Sequence, residues 1–152
     1  MIVWLLQLST AFCLGLFVGS MLTEGMILVP YWRSMEPKTF LDLHGTMGPR
    51  LYGYFAPLTI LATLIPTVTA GACLGSPTHP WVDSTVASAI MLLILGIYFL
   101  YFKAANESFA TGSVGIEGLP AELRRWAAWH WLRTVLAAVA FLASLRALDV
   151  SA

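Results

Sequence analysis

The chain has 152 residues, of which 59% are hydrophobic and only 11% are charged. Soluble globular domains carry about 25% charged residues, so this chain cannot cover itself with a polar, water-facing surface. Eight basic and eight acidic residues give a formal net charge of zero, which offers none of the basic patches typical of nucleic-acid-binding proteins. Composition therefore predicts an integral membrane protein in contact with the lipid bilayer, with no nucleic-acid partner.

Four apolar segments are long enough to cross a bilayer, because a helical span needs about 20 apolar residues. The first has no charged side chain before Glu24, the second opens at Pro37, and Pro120 opens the fourth. Glycines between residues 112 and 118 indicate a flexible loop before the fourth span. The sequence thus predicts an all-α fold, a four-transmembrane-helix antiparallel bundle forming one domain over residues 1–152. Its spans cover residues 2–29, 37–73, 83–110 and 121–148.

Basic residues predict the orientation of this bundle. Arg146 lies on the side that holds both termini. The residues that flank the connections after spans one and three are Arg33, Lys38, Arg50, Lys103, Arg124 and Arg125. Since cytoplasmic loops are enriched in Lys and Arg, we expect both connections in the cytoplasm. The termini then lie on the non-cytoplasmic side of the inner (cytoplasmic) membrane.

Each span contributes one potential metal-ligating side chain at a similar depth. Glu24, His44, Glu107 and His130 all lie about 8–14 Å from the end nearest these two connections, at about 1.5 Å per helical residue. Two carboxylates and two imidazoles suit iron, with copper and zinc as alternatives. Haem b held between His44 and His130 is an alternative. In the other interpretation no cofactor is bound. The four groups then serve as caps or pair with Arg50, Lys103 or Arg133.

Arg133 lies about 18 Å into the fourth span, three positions after His130 on the same helix face. An arginine at this depth needs a partner, which Glu24 or Glu107 could supply. Beside a histidine in a dry cavity, its guanidinium would stabilise an oxyanion or an enolate. A purely structural ion pair is the alternative interpretation.

Aromatic residues are concentrated in the same half of the predicted bundle. An interfacial aromatic belt accounts for most of them. The alternative is a flat, apolar pocket for an aromatic or quinone-like ligand. The residues concerned are Tyr52, Tyr54, Tyr98, Tyr101, Trp126, Trp129 and Trp131.

Three motifs give the chain a family resemblance. They are the glycine-rich first span that runs to Pro30, the segment from Glu36 to Phe40 at the start of span two, and Trp126-x-x-Trp129-His130-x-x-Arg133 in span four. With these, the chain resembles the anthrone oxygenase-like family of small four-helix membrane proteins. After span three, where that family often has Asn and Pro, residues 105–108 read Ala-Asn-Glu-Ser without a proline.

The resemblance implies a membrane oxidoreductase that oxygenates a hydrophobic aromatic molecule, as in the conversion of an anthrone to an anthraquinone by molecular oxygen. His130 or His44 would be the base, Arg133 would hold the enolate, and Arg50 is a further catalytic candidate. Trp129, Tyr54 and Asn106 are candidates for binding the cofactor or ligand. The competing hypothesis is a non-catalytic accessory or assembly subunit of a larger membrane complex, and a homo-oligomer is also compatible with four such helices.

Overall fold

The computed structural model describes residues 1–74 and 80–150, which form four long helices and, within these ranges, no strand. All four are long and apolar enough to cross a membrane, as expected for an integral membrane protein. The predicted all-α helical bundle is confirmed. The helices are α1 (Ile2–Ser34), α2 (Pro37–Cys73), α3 (Trp81–Ala110) and α4 (Gly115–Val150).

Helix α1 extends five residues beyond its predicted end at residue 29. Pro30 does not end it, because a wide π-helical segment, Glu24–Leu28, comes directly before the short helix Val29–Ser34, where the proline lies in the first turn. Helix α2 covers the residues expected from the sequence. The Glu36 carboxylate caps it by accepting a hydrogen bond of 3.2 Å from the Thr39 amide.

Helix α4 begins at Gly115 rather than at residue 121. Gly112 and Gly115 both have left-handed backbone angles, with φ of 69° and 71°, so the chain reverses within a few residues. The predicted flexible loop over residues 112–118 is therefore wrong in its second half, because residues 115–118 already belong to the helix and Pro120 is accommodated inside it. Helix α3 starts at Trp81, two residues earlier than expected.

The helices form an antiparallel ring in which α1 and α3 each pack against α2 and α4. Side-chain hydrogen bonds show the antiparallel arrangement, since Thr10 near the start of α1 meets Thr69 near the end of α2 at 2.9 Å. Alanines on one stripe of α4 are buried and allow close approach of its neighbours; they are Ala137, Ala140, Ala143 and Ala147. The end of the bundle that carries the connections 34–37 and 110–115 is called the basic end below.

Two π-helical segments interrupt the helices in the half nearer the basic end. One is Glu24–Leu28 in α1 and the other is Tyr98–Phe102 in α3. A π-turn holds an extra residue and changes which side chains face the interior, and such turns occur frequently at functional sites. Here Glu24, at the start of the first, and Phe102, at the end of the second, are both buried.

Candidate functional site

Helices α1 and α4 bring three ionisable side chains together inside the bundle. The Glu24 carboxylate oxygen Oε2 lies 3.4 Å from Nδ1 of His130, and Nη2 of Arg133 lies 3.4 Å from the same nitrogen. Glu24 is 6% exposed and His130 is fully buried. These residues are called the buried triad below, although Arg133 is only half-buried. Of the two carboxylates considered as partners of Arg133, Glu24 is the one with which it interacts electrostatically.

The hydrogen bond of the second ring nitrogen of His130, Nε2, determines which ring nitrogen carries the proton. Nε2 lies 2.9 Å from the main-chain carbonyl oxygen of Met21, which can only accept, so we assign the proton to Nε2. In the neutral ring Nδ1 is then an acceptor for the Arg133 guanidinium. In the charged ring Nδ1–H donates toward Glu24 instead. Nδ1 is thus the atom of His130 that gains or loses a proton.

Packing holds the His130 ring rigidly. The Trp126 indole stacks on it with 5.1 Å between ring centroids and 6° between the planes. Asn106 fixes that indole, because its Oδ1 accepts a 2.9 Å hydrogen bond from Trp126 Nε1. Gly25 leaves room on the other side, where an added Cβ would lie 3.1 Å from Nε2 of His130. Asn106 therefore acts through Trp126 rather than by direct contact with the triad.

The Arg133 guanidinium has one stabilising contact with an aromatic ring and one hydrogen-bond donor without an acceptor. Its guanidinium carbon lies 3.4 Å from the centre of the Phe102 ring, a cation–π contact that partly compensates its removal from water. It also interacts electrostatically with Glu24 and Tyr98. Its Nε is buried and has no hydrogen-bond partner among the described residues. A buried donor without a partner costs free energy, so the triad can still take one hydrogen-bond acceptor.

His44 lies in a separate aromatic cluster. Its ring stacks on Phe40 at 5.1 Å and meets the rings of Trp32 and Phe109 edge-on at 5.9 and 5.5 Å. Trp32 in turn contacts Trp126 at 5.9 Å, so two indoles connect the two histidines. His44 makes no side-chain hydrogen bond to any described residue. The structure therefore assigns it packing contacts and does not bring it to the triad.

The four predicted metal ligands do not form a shared site. Glu24 and His130 are adjacent, but Glu107 is exposed on α3 and His44 is enclosed by aromatic rings. Among residues 1–74 and 80–150, no three His, Cys, Asp or Glu side chains lie close enough to hold one ion. Both nitrogens of His130 are engaged by protein groups. The residues present therefore do not fit a common iron or copper site, or a haem held between the two histidines.

The remaining predicted site residues lie on the surface of the bundle. Arg50 is exposed and forms no ion pair within the described residues. Tyr54 is exposed, and its hydroxyl forms a 2.8 Å hydrogen bond with Ser20. Trp129 stacks on Tyr101 at 5.6 Å. None of the three is placed against the buried triad, because each points away from the side of its helix that faces the interior.

Three contributors to the site carried no clear pattern in the sequence. The Met21 carbonyl is main chain, Gly25 is one of twelve glycines, and Phe102 reaches the interior through the π-turn. Only the position of Gly25, directly after the sole acidic residue of span one, could have indicated a close approach of another helix.

Neither of two cavities between residues of the described ranges is lined by the triad. The larger, of about 140 Å³, lies at the basic end between the end of α1 and the start of α4. The smaller, of about 10 Å³, lies at the opposite end among polar side chains that include Gln7 and Thr69.

Comparison of the chain with protein-family models, with curated proteins and with solved structures gives no match. Function is therefore inferred from the chain's own residues.

Proposed function

We propose that the protein is a membrane-embedded oxidoreductase that removes a proton from a hydrophobic, aromatic small molecule, whose anion is then oxidised by molecular oxygen. The observation that carries this proposal is the buried triad of Glu24, His130 and Arg133 between two π-turns. Ionisable groups inside a membrane are expensive and commonly mark functional sites. A purely structural role would not require an arginine whose Nε is left without an acceptor.

The geometry supports a base and an anion-binding group side by side. Glu24 and Nδ1 of His130 are 3.4 Å apart, so a proton taken from a substrate C–H can be shared between them. Arg133 would hold the oxygen of the resulting enolate with the donor that now lacks a partner. A dry, low-dielectric surrounding strengthens this interaction relative to water.

The family resemblance suggests an anthrone as the substrate class. An anthrone has an acidic C–H opposite its ketone, and loss of that proton gives a flat enolate. Oxygen adds to the carbanion carbon, one of its atoms remains as the second quinone carbonyl, and the other leaves as water. In this scheme Arg133 stabilises the enolate, and Trp126 and Asn106 keep His130 in position. No step of this scheme uses iron, copper or haem b, because the predicted ligands do not form a common site among the described residues. Metal analysis and an absorption spectrum of the purified protein test whether such a group is bound.

The location of this activity is part of the proposal. The basic end would face the cytoplasm, with both termini on the other side of the inner membrane, because Lys and Arg are enriched in cytoplasmic loops. Since Glu24 and His130 are buried and the substrate is apolar, the substrate would enter sideways from the bilayer between helices.

Turnover of an anthrone by the protein in lipid nanodiscs tests the proposal. Anthraquinone absorbance and oxygen uptake are followed together, with empty nanodiscs measuring spontaneous oxidation. Glu24→Gln is expected to lower the rate by about 10²-fold or more, as for loss of a general base. Glu107→Gln is the matched control, because it removes the same charge from an exposed position, and its rate is expected to stay within about twofold, since Glu107 touches no member of the triad. Equal rates for wild type and Glu24→Gln, or no rate above empty nanodiscs, would refute the proposal.

A second candidate function is that of an accessory subunit in a membrane complex. The larger cavity, of about 140 Å³, is smaller than the 300–1,000 Å³ of most ligand pockets. In that case the triad would be a structural ion network, and exposed apolar helix faces would contact a partner or a second copy of the chain. Stable co-purification with another membrane protein in mild detergent, without anthrone turnover, would favour this role.

A further inference from the structure

A crevice at the basic end combines apolar walls with two arginines. It has a volume of about 140 Å³ and lies where the end of α1 meets the first turns of α4. Its walls include the buried side chains of Trp32, Leu119 and Leu123. This space is called the arginine crevice below; its defining residues are Trp32, Arg33, Met35, Leu119, Leu123 and Arg124.

The two arginines of the crevice are without acidic partners. Arg33 and Arg124 are exposed, and neither forms an ion pair or hydrogen bond with a described residue. The neighbouring Arg125 differs, since it is paired with Glu122 and lies over the Tyr101 ring at 5.8 Å. The nearby Glu36 carboxylate is occupied in capping α2. Among the described residues, neither arginine of the crevice is therefore paired with an acidic side chain.

We propose that the arginine crevice binds the headgroup phosphate of an anionic phospholipid. Arginine binds phosphate oxygens through two parallel N–H donors, and Arg33 and Arg124 approach the crevice from different helices. The lining also includes Met35, Pro37 and Pro120, whose accessible apolar atoms suit the glycerol and first acyl carbons that follow a headgroup. Basic pockets between membrane helices are a recurrent form of anionic lipid site. None of these residues belongs to the buried triad, so the lipid site does not depend on the proposed enzymatic function.

The lipid, rather than free phosphate, is the occupant that the position favours. The crevice lies at the end of membrane-spanning helices, where headgroups are concentrated. A lipid can place its phosphate against the two arginines while its glycerol and first acyl carbons meet the partly exposed apolar atoms of Met35, Pro37 and Pro120. Inorganic phosphate would gain only the contacts with the arginines.

Native mass spectrometry of the full chain in detergent micelles tests this site. The probes are a phosphatidylglycerol and a phosphatidylcholine with the same acyl chains, and inorganic phosphate alone. We expect the phosphatidylglycerol to bind more tightly than the phosphatidylcholine. Arg33→Gln and Arg124→Gln should each weaken phosphatidylglycerol binding about fivefold, the usual contribution of one basic residue near a lipid surface.

Arg125→Gln is the matched control, because it removes the same charge from the same end of the bundle but outside the crevice. Its effect should stay below about twofold, since Arg125 is already paired with Glu122. Circular dichroism confirms that all three variants keep the helical fold. Equal weakening by Arg125→Gln would show attraction to surface charge in general, and equal binding of both lipids would show no phosphate selectivity. Binding of inorganic phosphate as tight as that of the lipid would likewise overturn the proposal.

Discussion

Replacing Gly25 by alanine perturbs the buried triad through packing alone. An ideal Cβ at this position would lie 3.1 Å from Nε2 and 3.3 Å from Cδ2 of His130, and 3.2 Å from Cζ2 of Trp131. Favourable contacts between such atoms occur at about 3.5–4.0 Å. The imidazole must therefore move by a few tenths of an ångström, away from the position in which Nε2 bonds to Met21 at 2.9 Å.

Two opposing contributions determine how Gly25→Ala changes the free energy of unfolding. Overpacking a tightly filled interior costs about 1–3 kcal/mol, whereas replacing glycine by alanine inside a helix gains about 0.5–1 kcal/mol. The balance is a net loss of roughly 0–2.5 kcal/mol in the free energy of unfolding relative to wild type. Anthrone turnover should fall as well, because displacement of His130 changes its distance from Glu24 and Arg133.

Unfolding of the purified protein by SDS in mixed micelles measures the stability change, and turnover is measured on the same preparation. Gly19→Ala is the matched control, because Gly19 lies in the same helix and an added Cβ there meets nothing within 4 Å. It should leave stability unchanged or slightly raised. If Gly25→Ala were as stable and as active as Gly19→Ala, the close packing of α1 on His130 would be refuted.

Three further substitutions separate packing from function. His44→Phe should change the free energy of unfolding by less than about 1 kcal/mol, because the His44 ring only packs against aromatic neighbours. Anthrone turnover should stay within about twofold, because His44 touches no triad residue. A loss of turnover beyond tenfold would return His44 to the candidate site. Asn106→Leu should destabilise the protein by about 1–3 kcal/mol in SDS unfolding, because Trp126 loses its acceptor; an unchanged midpoint would contradict that hydrogen bond. Asp83→Asn should change stability by less than about 1 kcal/mol, because its 3.9 Å pair with the exposed Arg146 is weak, and a larger loss would show that this pair matters.

The helices and the depth of the polar groups followed from the sequence. Apolar runs of sufficient length define spans, and the rise per residue places Glu24 and His130 at matching levels near the basic end. The three-residue spacing of His130 and Arg133 puts both on one face of α4. These features depend on distances along the chain, which the sequence determines directly.

The side of its helix to which each residue points could not be predicted from the sequence in the same way. Each residue turns an α-helix by about 100°, so a single π-turn changes which side chains face inward. Depth alone grouped Glu107 and His44 with the triad, yet Glu107 faces outward from α3 and His44 faces aromatic rings of its neighbours. The two π-turns and the close approach at Gly25 arise from packing between helices, which one sequence does not specify.

A double-mutant cycle on anthrone turnover tests most directly whether Glu24 and Arg133 act as one unit. The rates of wild type, Glu24→Gln, Arg133→Gln and the double variant are compared in nanodiscs, with circular dichroism confirming that each is folded. If both residues serve the same proton removal around His130, the double variant should be no more than a few-fold slower than the slower single variant, because effects within one catalytic unit are strongly non-additive. Losses that multiply in the double variant, or single variants that retain the wild-type rate, would contradict a shared catalytic role for the buried triad.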